Sequence, residues 1–114
     1  LRSGRLNDGY QITNELYKTA IKKLSTLKDE VDKMFSDCDL IITPSAPGEA
    51  LKGLQYTGSP MFNTTWSLSG NPCVTLPLFR GSQGLPIGCQ LVTKFGTDND
   101  LLDYAKTIYS NYLK

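Results

Sequence analysis

The run Phe62-Asn63-Thr64-Thr65-Trp66-Ser67-Leu68-Ser69-Gly70-Asn71-Pro72-Cys73-Val74-Thr75-Leu76-Pro77 narrows most what this chain can fold into. A glycine just past a helix takes the left-handed conformation that closes the last turn, and a proline shortly after it cannot continue the helix. The run therefore predicts a short helix over 60–69, with Pro60 at a tolerated early position, turned directly into a β-branched, apolar strand over 73–79. A further strand is expected over 87–93. The link between them, Arg80 to Pro86, has the length and the glycines of an open hairpin loop.

The flanking segments complete an α/β pattern. From about Asp8 to Phe35, apolar residues recur in steps of three and four: Leu16, Tyr17, Ala20, Ile21, Leu24, Leu27, Val31, Met34 and Phe35. That is one stripe of a long amphipathic helix over 8–35, with Gly9 weakening its first turn so that regular structure is expected nearer Ile12. Strand character follows at 39–43. Its run Leu40-Ile41-Ile42 lacks polar alternation, and such strands are usually covered on both faces, as in a mainly parallel sheet flanked by helices. The stretch from Pro44 to Pro60 has no hydrophobic period and is long for a structureless connection, so it is expected to cross a binding site or to dock on further protein. A last helix over 98–113 starts at Thr97 or Asp98, with Asp98 and Asp100 in its first turn. Three strands and three helices make a thin layer structure, and the apolar strand at 39–43 needs neighbours on both sides. The expectation is part of a mixed β-sheet flanked by helices, incomplete on its own.

Composition excludes several functions. A formal charge of +1 over 114 residues, with lysines scattered among acids, gives no electrostatic footprint for nucleic acid. No apolar run approaches the ~20 residues that span a bilayer. Leu1 to Arg5 does not read as a secretory signal. The absence of an initiator Met reads as a chain cut from a longer one. Cys38, Cys73 and Cys89 lack any C-x-x-C pairing, and two of them fall within expected buried strands. Reduced packing thiols in a cytoplasmic protein are the expectation.

The chain contains no His, which removes Ser-His-Asp and Cys-His catalysis and imidazole metal sites. Phosphate-binding glycine motifs are missing, and no metal or cofactor is expected. Asp98, Asp100 and Asp103 fit a capped helix start better than a cation loop. Asp37 and Asp39 point to one face of an extended segment, which permits a paired acid and base, but helix termination and solvation are the preferred explanation. Ser69 follows a helix and precedes Gly70, where a serine more often bonds locally than acts as a nucleophile. No catalytic residue is assigned.

Taken in order, Asp39-Leu40-Ile41-Ile42-Thr43-Pro44-Ser45-Ala46-Pro47-Gly48-Glu49-Ala50, Gly58-Ser59-Pro60-Met61-Phe62-Asn63, the run to Pro77, and Gly84-Leu85-Pro86-Ile87-Gly88-Cys89-Gln90-Leu91-Val92 resemble the closing part of the amidase signature family. The stretch from Gly96 to Leu102 resembles the start of that family's last helix. The resemblance implies a serine amide hydrolase working through a Ser–cis-Ser–Lys triad, with a Gly-Gly-Ser-Ser turn holding the oxyanion. Those elements have no counterpart in this sequence, so the resemblance implies a partner, the missing N-terminal part of the same amidase domain, and a small-molecule amide as substrate. It further implies that the helix over 60–69 approaches the acyl side of the pocket. Phe62 and Trp66, four apart, share a helical face and either line an apolar wall or pack on the sheet. Asn63 either orients a substrate carbonyl or caps locally. The strands also resemble those of the glutamine-hydrolysing component of tRNA-dependent amidotransferases, while the compact stretch Thr57 to Trp66 looks more like stand-alone amidases. The remaining alternative is a small non-catalytic binding or scaffold module.

Overall fold

The computed structural model describes residues 7–112. Helix α1 runs Asn14–Met34, strand β1 Ile41–Pro44, helix α2 Thr64–Ser69, strand β2 Cys73–Arg80, strand β3 Pro86–Val92 and helix α3 Asp98–Tyr112. The long first helix is thus shorter than its stripe predicted. Residues 7–10 are helical, but Gln11–Thr13 break the path, and Thr13 restarts it as an N-cap whose hydroxyl accepts from the Leu16 amide at 3.2 Å. Residues 61–63 form a turn instead of the first turn of α2. Gly70 ends α2 in the left-handed conformation (φ 81°), with its amide on the Trp66 carbonyl at 2.8 Å.

The three strands form one sheet in the order β1-β3-β2. Both pairings are antiparallel. The hairpin loop forces this for β2 and β3, and the long connection after β1 lets the chain return with β3 antiparallel beside it. The register sorts the side chains into two faces: Ile42, Leu91 and Val74 share one row, with Cys89 and Leu76 beside it, while Ile41, Val92 and Cys73 share a row on the other face, with Thr43, Gln90 and Thr75 beside it. A bulge between Leu76 and Phe79 brackets Pro77, which has no amide to give the ladder.

Each face carries helices. Helix α3 lays Leu101 and Ala105 on Leu78, Cys89 and Leu91, with Leu40, Val74, Leu76 and Ile108 closing the margin. On the opposite face Val31 of α1 and Trp66 of α2 bury Val92, flanked by Leu27, Phe35 and Ile41. Strand β1 is covered less than its sequence predicts: Ile42 is 60% exposed, because α3 reaches across β2 and β3 and stops short of the outer strand. Cys73 is likewise exposed and not a packing thiol, since it sits on outer strand β2, beyond the Trp66 cluster.

Candidate active-site wall

The segments that carry the sequence motifs meet at Ser45. Its amide donates to the Gly88 carbonyl at 3.1 Å, carrying the β1–β3 ladder one residue past Pro44. Its carbonyl accepts from the Asn63 side-chain amide at 3.1 Å. A Cβ on Gly88 would collide with the Ser45 hydroxyl and the Thr75 methyl, so only glycine allows the loop this close to the strand. The loop after β1, the turn before α2 and the middle of β3 are thereby held as one unit.

The three sequence-predicted wall residues occupy different depths. Trp66 is 8% exposed and packs against Val31 and Val92. Asn63 is partly buried and makes no side-chain capping bond; its amide is spent on Ser45. Phe62 is partly buried at the turn. The structure thus puts Asn63 at the convergence of motifs, Phe62 next to it in the chain and Trp66 in the core. A shallow cavity of about 130 Å³ lies elsewhere, lined by Lys28, Asp29, Asp32, Ser69, Asn71 and Phe95.

Two polar features escaped the sequence reading. Thr43, Gln90 and Thr75 are cross-strand partners in one row. Gln90 is 2% exposed, and the buried Thr43 Oγ1 and Gln90 Oε1 have no hydrogen-bond partner. A glutamine inside an otherwise apolar strand was the available signal. The second is Glu49. Its carboxylate accepts the Gln83 amide at 3.1 Å and the Leu85 amide at 2.9 Å, cradled by the turn at the tip of the β2–β3 hairpin. Gly81 leaves the space that the carboxylate fills. Charged acceptors on backbone amides make strong bonds, and no local spacing announces a partner 34 residues away.

Ser69 is explained without catalysis. Its hydroxyl is buried within reach of the Thr65 carbonyl and the Asn71 side-chain oxygen, and the Asn71 amide continues to the Thr93 carbonyl at 2.9 Å. Among the described residues no cluster of His, Cys, Asp and Glu fits a metal ion. The Cys89 thiol is pushed up from its ordinary pKa by burial. Cys73 is also raised by burial, with the Gln90 amide pulling the other way. Neither favours a thiolate nucleophile.

The family model described as Amidase matches residues 2–102. The chain belongs to the amidase family. The A subunit of glutamyl-tRNA(Gln) amidotransferase from Wolinella succinogenes is 32% identical over 110 residues, covering 90% of this chain and 24% of that protein. A crystal structure of an amidase superposes with a TM-score of 0.78 at 24% identity, over 93% of this chain and 27% of that one. The corresponding amidotransferase structure from Thermotoga maritima gives a TM-score of 0.67 at 25% identity, over 87% of this chain and 23% of that one. This α/β arrangement of an antiparallel sheet and flanking helices is therefore part of the amidase fold, and the chain spans about a quarter of the length of the curated relatives it matches. Among the described residues, no helix is long and apolar enough to cross a membrane.

Proposed function

We propose that this chain forms one wall of an amidase that hydrolyses a carboxamide C–N bond to acid and ammonia, with the nucleophilic serine, its lysine and the oxyanion turn contributed by protein outside these residues. The observation that carries this reading is the convergence at Ser45, where three family-like motifs are tied together by the Gly88 and Asn63 hydrogen bonds. Phe62 and Asn63 form the face presented to the acyl side of a small-molecule amide, and Trp66 is the buttress behind them. Removing the Asn63 amide frees the loop after β1 from α2, so Asn63→Ala in the complete encoded enzyme should lower ammonia release from simple carboxamides by about 3- to 10-fold, the cost of one positioning hydrogen bond. The 114-residue chain alone should release none. Hydrolysis by the isolated chain, or an encoding frame without a Gly-Gly-Ser-Ser turn upstream, would overturn the reading.

Identity to the Wolinella succinogenes protein favours a second reading, in which the same wall serves a glutamine-dependent tRNA amidotransferase. A neighbouring gene for a tRNA-binding partner protein, and ammonia delivered to glutamyl-tRNA in its presence, would select it over a stand-alone amidase.

A further inference from the structure

Helix α1 is seated on the sheet over only part of its length. Twenty-one residues make a rod of about 32 Å. Its C-terminal half rests on the sheet through Leu27, Val31 and, just past the helix end, Phe35. Every residue from 7 to 23 is exposed. The apolar stripe nevertheless continues unbroken into the overhang: Leu16, Ala20 and Leu24 lead at helical spacing into Leu27 and Val31, with Tyr17 and Ile21 on its flank. Leu16 is 58%, Tyr17 60% and Ile21 47% exposed, while Lys18 and Lys22 occupy the opposite face. An unsupported amphipathic half-helix of this length is marginal in water.

The whole chain carries a matching surplus of surface. Its accessible area is 8965 Å², whereas a folded monomer of 12.6 kDa exposes about 6,200 Å². Its radius of gyration is 17.1 Å against about 13 Å for a compact chain of this length. The surplus of about 2,800 Å² is comparable to one side of a large obligate interface. The family match at 2–102 takes in all of α1, which makes the overhang part of the amidase domain and not a linker, and the relatives are some four times longer than this chain.

We propose that the N-terminal half of α1, residues 14–23, is the docking rail for the remainder of an amidase domain, which covers the Leu16-Ala20 stripe and its flank with its own apolar surface. This rests on the amidase reading and adds the surface by which the wall is held to the catalytic part. The test uses Leu16→Asp and, separately, Ala20→Asp, with Lys22→Asp on the polar face as control. Each is placed in the complete encoded enzyme. In the complete enzyme the stripe variants should melt about 5 °C or more below the parent, as expected when a carboxylate is forced into an apolar contact. Lys22→Asp should stay within about 1 °C.

Equal melting of stripe variants and control in the complete enzyme, with amide hydrolysis retained, would overturn the rail and leave the amidase reading standing. A frame encoding no further amidase sequence would overturn both. Dimers of the complete enzyme that Leu16→Asp disperses would assign the stripe to a second copy and overturn the proposal.

Discussion

The two faces of the sheet are built to different degrees of completion. Under α3, Leu91 is fully buried and Leu78, Cys89, Leu101 and Ala105 pack around it, while Ile42 at the margin of the same face stays 60% exposed. Under α1 and α2, Trp66 and Val31 close over Val92, but the same face continues into Thr43 and Gln90, whose buried oxygens lack partners, and into an overhanging helix. One face is an apolar cluster under a single helix. The other mixes apolar packing with buried oxygens that lack partners. An unsatisfied buried oxygen is costly, and it falls on the face that also holds the Asn63–Ser45 hydrogen bond.

That contrast can be broken by paired truncations. Leu91→Ala should cost about 3–4 kcal/mol, since a closed core cannot collapse onto the void. Trp66→Ala should cost no more than about 3 kcal/mol despite the larger side chain, because Trp66 reaches the surface where Leu91 does not and its surroundings can relax into the void. Urea denaturation of the two variants measures both, and a larger loss for Trp66→Ala would show that the second face is the better-packed one. A smaller effect is expected at Glu49. Glu49→Ala should cost about 1–2 kcal/mol and speed hydrogen exchange at the Gln83 and Leu85 amides, while the Leu91 amide stays protected; a uniform change would deny the contact its local character. The smallest differences concern the thiols. With Cys38 exposed and Cys89 buried under a raised pKa, iodoacetamide at mildly alkaline pH should label Cys38 first and Cys89 last, because a raised pKa leaves less thiolate at a given pH.

What was legible in the sequence was local. Gly70 followed by Pro72 marks the end of α2, the glycines between Arg80 and Pro86 mark the hairpin, and the stripe from Leu16 to Val31 marks α1, because each depends on backbone or period within a few residues. The motif order from Asp39 to Val92 was legible too, and family membership follows from it. The expected span of α1 begins at residue 8, but the weakening at Gly9 sets the regular helix nearer Ile12, one residue before the Thr13 cap. Long-range facts were not legible. Nothing near Glu49 points to the hairpin tip, and nothing in Leu40-Ile41-Ile42 tells that β1 is an outer strand with Ile42 half bare. Cys73 and Cys89 lie in equally apolar strands, and only the sheet order separates the exposed thiol from the buried one. Trp66 and Asn63 each carried two expectations, one of a pocket wall and one of a local packing or capping role; the pairing of Asn63 with Ser45 depends on how the loop folds back, which no spacing encodes.

The carboxylate of Glu49 on the hairpin tip divides the long connection into a pinned stretch up to residue 49 and a stretch from Ala50 to Gly58 that is exposed throughout. Mechanical freedom in the second stretch is therefore insulated from strand register. Doubling its length would add only about 0.6 kcal/mol of closure entropy, and nothing upstream of the pin would have to shift. Leu51, Leu54 and Tyr56 thus sit on a segment whose length can change without altering the register of the sheet.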